Sequence, residues 1–277
     1  MSAKRLSSLV LALMLAGCGA FVPQIRDFPN NATEAKNNEL VQAIIVSIHC
    51  ELKDAVTSVI NAGADSARIN GYDYARFLRE WGAQVGLTLQ MEEKTIVNPT
   101  AVYMPISPPS SIFTLGGGLS GTADATRIDK VNYYYKVSEL YLGRNGKCYR
   151  DDDPPSGSFL IQSDLKLREW LSAMINGVAT RHVTSVGKQN VLSHQITFQV
   201  TTSGNVTPAW KLVTGTINQG GSLLTASRDR KHDLLITFGP LDKSQTGSFL
   251  VPIAESTHVT SQITSGISSG LKSATGQ

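Results

Sequence analysis

Apolar side chains recur at intervals of three and four residues early in the chain. Val41, Ile44, Ile45, Ile48, Leu52, Ala55, Val56 and Val59 fall on one arc at about 100° per residue. This spacing predicts an amphipathic helix running to about Asn61. Asn31 and Glu34 stand three apart at its start, as a capping residue and its acid do, and Gly63 supplies a stop signal. A second, short helix is expected over Tyr72–Trp81, with Tyr74, Phe77, Leu78 and Trp81 on one side as core packing.

After Gly82 the period shortens to two. Val85, Leu87, Leu89 and Met91 alternate with polar residues, which predicts a half-buried strand. Ile96–Ile106 reads as an edge or irregular strand, because Pro99 and Pro105 remove ladder donors. Phe113, Leu115 and Leu119, then Val131, Tyr133, Tyr135 and Val137, alternate on either side of a turn near Asp124, the pattern of one long hairpin. Residues 83–92, 112–122 and 128–138 are therefore expected in one antiparallel sheet whose apolar side packs on the N-terminal helix. Gly143–Gly157 is a loop by composition, and Ser163 or Asp164 can cap another helix to about Val178. Strands resume at Leu192–Thr201, Trp210–Ile217 and Asp233–Phe238.

The class that follows is α+β, mainly antiparallel β-sheet packed with an N-terminal helix and a second helix in mid-chain. Residues 1–17 form a leader and 18–30 a tether. Residues 31–142 are a helix-plus-sheet region, 143–157 a loop, and 158–254 a helix plus β-meander in the same or a second domain. Residues 255–277, rich in Ser, Thr and Gly, are expected to form a flexible tail.

Lys4 and Arg5 precede the apolar run Leu9–Leu15 and a small-residue site, the order of a secretory signal. Leu15-Ala16-Gly17-Cys18 resembles the lipobox of bacterial lipoprotein precursors. That resemblance implies cleavage before Cys18, lipidation of that residue as the new N-terminus, and tethering to a lipid bilayer. Several acyl chains anchor stably where one binds only marginally. Gly19 after the cysteine is similar to the outer-membrane default of enterobacteria-type sorting, so the implied location is the cell envelope, lipid-anchored, at the outer membrane and facing the periplasm. No family resemblance extends into the mature domain.

Charge narrows the partners. The leader takes Lys4 and Arg5 from the 25 basic residues, leaving 23 against 22 acidic ones. A near-neutral chain lacks the basic footprint of a nucleic-acid binder.

Several strings mimic chemical motifs. Gly116-Gly-Gly-Leu-Ser-Gly121 has the spacing of a dinucleotide loop, but a strand follows it where the phosphates would need a helix N-terminus. Gly266-Ile-Ser-Ser-Gly270 copies a nucleophile elbow within the Ser-rich tail. Asp151-Asp152-Asp153 lacks the alternating ligand spacing of a calcium loop. The histidines His49, His182, His194, His232 and His258 show no paired zinc spacing, and the alternating charges of Arg228–Asp233 suit a solvated hairpin tip. Thus no catalytic, cofactor or metal site is assigned and no cofactor is expected.

The return strand is too short on its apolar face for a spanning barrel. Asp129 and Glu139 bound its apolar face, leaving Val131–Val137, about 20 Å at 3.3 Å per residue. A transmembrane strand needs an apolar band about 25 Å tall. The first functional expectation is a non-enzymatic, membrane-tethered module that binds another protein or envelope component. The alternative is a subunit of an oligomeric envelope pore or secretion assembly, and an envelope hydrolase stays open should His, Ser and acidic groups converge.

With Cys18 acylated, Cys50 and Cys148 remain, and an oxidising compartment favours a bridge between them. Cys50 lies about 900° from both Val41 and Val59, half a turn off the centre of the apolar arc. Cys148, in a polar loop, can cover it. Replacing Cys18 with Ser should release the domain from membranes or leave an uncleaved precursor. Fractionation and intact mass check this; unchanged processing refutes the anchor.

Overall fold

The computed structural model describes residues 22–25, 34–106, 113–149, 158–180, 182, 191–212, 214–218, 221–244 and 249–275. In chain order these form α1 (Glu34–Asn70), a 3-10 turn (Arg76–Glu80), β1 (Trp81–Val97), β2 (Thr100–Tyr103), β3 (Leu115–Gly118) and β4 (Gly121–Lys136). Then follow α2 (Val137–Leu140), α3 (Phe159–Gln162), α4 (Leu167–Ala179), β5 (Leu192–Val206), β6 (Trp210–Leu212), β7 (Gly215–Ile217), β8 (Leu224–Pro240) and α5 (Pro252–Thr275). The fold is α+β with antiparallel sheets. A large sheet has the order β4-β1-β8-β5 and a small one the order β3-β2-β7-β6.

Two compact units divide the described chain, and each long strand passes from one into the other: β1 after Thr88, β4 after Asp129, β5 after Phe198 and β8 after Lys231. The helical unit holds α1 to α5. Its apolar arc on α1 buries Leu40, Ile44, Ile48, Leu52, Val56 and Val59, each contributing about 1.5–3 kcal/mol of transfer free energy. Also buried in this unit are Val85 and Leu87 of β1, Leu234, Ile236 and Phe238 of β8, and Leu171 and Ile175 of α4, the helix that packs on α1. His49 of α1 stacks on Tyr135 of β4 at 4.8 Å between ring centroids, so the Val131–Tyr135 row does face the N-terminal helix. Trp170 of α4 stacks on His194 of β5 at 4.7 Å, and Phe159 of α3 meets Phe198 at 5.8 Å.

The segment after β4 runs back along α1. Tyr141 donates to Asn61 at 3.0 Å, the Leu142 amide donates to the Thr57 hydroxyl at 3.0 Å, and Arg144 pairs with Asp65. Cys148 then bonds to Cys50, Cα to Cα 5.3 Å across a separation of 98 residues. The thiol that α1 turns away from its own apolar arc is covered by this loop, and Cys50 is buried.

The other unit contains the small sheet and the remaining halves of the long strands. In its sheet Tyr103 faces Leu115 across one ladder, and Ala101 faces both Gly117 and Ile217. Asn218, at φ 54°, ends β7 by donating its amide to the Thr100 carbonyl at 2.7 Å. The N-terminal residues Pro23 and Ile25 are buried in this unit, where Arg228 donates to the Gln24 carbonyl.

Six expectations change. Helix α1 runs through Gly63, because that glycine admits a close neighbour; a Cβ there would stand 2.5 Å from Asp73 Oδ1. The stop is Gly71, whose φ of 74° is the left-handed conformation that ends helices. Tyr72–Trp81 gives only the 3-10 turn. The long hairpin does not form: Leu115–Gly118 pairs with β2, and Gly121–Lys136 is one continuous strand in the other sheet. Trp210–Ile217 splits into the paired strands β6 and β7. Arg228–Asp233 is no hairpin tip but the middle of the 17-residue β8, where Arg228 meets Glu93 at 3.3 Å and Asp229 accepts from Gln199 at 2.7 Å. Finally, in place of a flexible tail, Pro252–Thr275 is the helix α5.

The double variant Cys50→Ser, Cys148→Ser should lose about 3 kcal/mol, the chain-entropy value for so long a loop less native strain. Tm should fall by about 10 °C, readable by calorimetry with and without reductant. A variant that melts with the parent refutes a stabilising bridge.

Candidate functional site

Several buried polar groups pair within the helical unit. Ser158 and His232 approach within 2.9 Å, a contact with the shape of a nucleophile and base. Yet they are only 3% and 4% exposed, and the Ser158 hydroxyl also accepts the Leu160 amide at 3.2 Å. This serine is the buried N-cap of α3. His258 of α5 lies between Thr237, 2.9 Å from Nδ1, and Gln262, 3.1 Å from Nε2. Burial lowers its pKa to about 4. Asp233 accepts twice from Gln195 at 3.0 Å, once from Thr197 at 2.9 Å, and from Ser265. These groups bind α5 to the sheet.

The remaining motifs disperse in the same way. His49 and His194 are stacking partners, His182 is exposed, and burial lowers the pKa of both stacked rings. Gly116–Gly118 sits within β3, and Gly266–Gly270 lies inside α5 rather than on a strand-to-helix turn. Cys18 and Asp151–Asp153 fall outside the described residues. Among the described residues, no group of three His, Cys, Asp or Glu is placed to hold a metal, and no helix is long and apolar enough to cross a membrane.

What the described residues do display is exposed surface of three kinds. The first is the two edges of the large sheet. Among the described residues β4 is bonded only to β1 and β5 only to β8, so strands of 16 and 15 residues each leave one row of backbone groups outward. Natural edges of this length are blunted by charge, proline or a bulge. β5, Leu192–Val206, contains no charged residue and no proline. With four alternating strands, β4 and β5 run in opposite directions. Each also turns a half-buried apolar row, Val131 and Tyr133 on one and Ile196 and Phe198 on the other, to the layer of α1, α3 and α4.

The second is the outward side of α5. Ala254, His258 and Ser265 point to the sheet. Val259, Ile263 and Ile267 recur four apart on the other side and stay exposed. The third is the small sheet, whose face carries exposed Tyr103, Leu115 and Ile217 around a shallow hollow of about 750 Å³.

Sequence periodicity missed all three surfaces. The available signal was charge spacing. From Thr95 to Ala123 there is no charged residue, and from Gln189 to Ser227 only Lys211, in a chain that is 17% charged.

No protein-family model matches the sequence, and a search of curated proteins finds no relative. Among solved structures, the chain aligns with the Salmonella SPI-1 type III secretion injectisome secretin InvG. One alignment has 12% identity and a TM-score of 0.14, covering 67% of this chain and 71% of that one. A second, to the InvG secretin domain β-barrel, has 9% identity and a TM-score of 0.16, covering 67% and 69%. The likeness is weak, and superposition at this level defines no common fold.

The histidines yield a pH dependence. An unfolded His258 takes a proton near its ordinary value of 6.5, whereas the folded ring refuses it until about 4. Stability is therefore full above that ordinary value, falls as pH drops through the window, and levels off below it. Between pH 7 and pH 5 the loss should be on the order of 1 kcal/mol. Thermal melts of the parent and of His258→Gln, which removes the titrating ring, check this. Equal acid-side slopes in the two proteins contradict it.

Proposed function

We propose that this chain is a lipid-anchored envelope protein whose role is structural: it assembles with further copies of itself through the edges of its large sheet. The anchor is the acylated Cys18 implied by the lipobox. The observation that carries the assembly is β5, a 15-residue edge without a charge or a proline. A strand left open in that way templates another strand.

The occupant best matched to β5 is β4 of the next copy. It runs in the opposite sense to β5, is one residue longer and brings its apolar row to the same layer. Such a contact is head-to-tail: each copy offers one edge of each kind, and repetition closes a ring when the rotation allows. The exposed side of α5 adds apolar surface that a neighbouring copy can cover. Charged residues occur on both faces of β4 (Arg127 and Asp129 on one, Asp124 and Lys130 on the other), which weighs against these strands forming a lipid-spanning wall.

This keeps the oligomeric assembly of the second sequence expectation without its pore, and is preferred because open edges need a partner of complementary strand direction. Light scattering of the detergent-solubilised protein should give a mass of three or more copies. Ile196→Lys with Val200→Lys, which charges the β5 row, should reduce it to a monomer with at most a few degrees lost in Tm. A parent protein that is monomeric, or a dimer that survives charging of β5, overturns the proposal.

A further inference from the structure

We infer that the exposed face of the small sheet seats in the lipid bilayer beside the acylated N-terminus; the inference rests on the anchor proposed above. Cross-strand register defines the face. Tyr103 pairs with Leu115, and Ala101 pairs with Gly117 on one side and Ile217 on the other, so these side chains share one surface. Leu115 is 59% exposed, Tyr103 52% and Ile217 41%. The adjoining loop residues Ile106, Phe113 and Leu119 are exposed as well. A contiguous apolar surface of this kind on a folded unit marks a partner.

Charge identifies the partner as lipid. The 29 residues from Thr95 to Ala123 carry no charge, and Lys211 is the single charged residue between Lys188 and Arg228. Lys211 is in register with Thr216, which places it on the opposite surface. Protein interfaces keep a polar, charged rim around their apolar centre. Here long stretches of sequence are charge-free, as suits a medium in which each charge costs free energy at depth.

The tether supplies position. Pro23 and Ile25 are buried in the same unit as the small sheet. Cys18 precedes Val22 by four residues, a reach of at most about 14 Å. An acyl group on Cys18 therefore holds this unit at the membrane. Depth is limited by the backbone. Strands of three or four residues cannot span a bilayer, which takes about 9–11. The outer edges of β3 and β6 also need water or headgroups for their amides. The face therefore lies at the headgroup–acyl boundary, with side chains reaching inward.

The test uses full-length acylated protein reconstituted in phosphatidylethanolamine–phosphatidylglycerol vesicles. An environment-sensitive fluorophore is placed at Leu115→Cys and, as a control, at Arg68→Cys on α1. The probe at 115 should shift to the blue and be quenched about tenfold more than the control by lipids brominated along their chains. Adding Tyr103→Asp and Ile217→Asp should abolish that quenching, each by about tenfold weaker partitioning, with Tm and the disulfide unchanged. Flotation with the vesicles is read in parallel. Protein that floats but leaves the 115 probe unquenched overturns this inference and leaves the anchor standing. Protein that does not float overturns the anchor and this inference with it. A 115 probe already shielded before vesicles are added assigns the face to a second copy and also overturns it.

Discussion

Burial of β1 on both faces is the constraint on which the helical unit depends. From Trp81 to Leu89 the strand alternates apolar residues with glycine and polar ones, and nearly all are inaccessible. One face meets α1 and its partner α4, through Val85, Leu87 and the apolar arc. The other meets α5, and it can do so only because Gly86 has no side chain. A Cβ there would run into Gln262 and, at 3.0 Å, the His258 ring. Two helical layers on one sheet leave no third direction for burial except sideways along the strands. The open edges β4 and β5 are thus the natural place for contact with another molecule.

The polar groups that resemble chemistry serve the same packing. Inside the unit a hydroxyl or imidazole costs free energy unless it is paired. Thr237, His258 and Gln262 satisfy one another, and Ser158 satisfies both a helix start and His232. A depressed histidine pKa follows from this burial alone, so here it marks enclosure rather than catalysis. The other unit is organised by different means. Its long-strand halves are held by polar cross-strand pairs such as Arg228 with Glu93, and its small sheet is nearly free of charge.

Much of the fold was legible because it rests on period. The arc of α1, the alternation of β1 and β5, and the class itself need only one apolar face per element, which a string displays. The Cys50–Cys148 pairing was legible for a related reason: α1's own geometry turns Cys50 off the apolar arc, so some other segment has to cover it. Legibility ended where one residue type has two uses. Gly63 and Gly71 look alike in the sequence, yet one admits Asp73 and the other holds a positive φ.

The sequence by itself determined the α+β class, the charge-free stretches and the candidate anchor at Cys18, because composition and local spacing suffice for these. Tertiary structure decided what long-range partners control. Helix α5 is built of Ser, Thr and Gly, poor helix formers, and forms because the sheet receives His258 and Ser265. The charged run Arg228–Asp233 is a strand because Glu93, Gln195 and Gln199 lie beside it. Which edges stay open is likewise a property of strand order, and no single strand contains it.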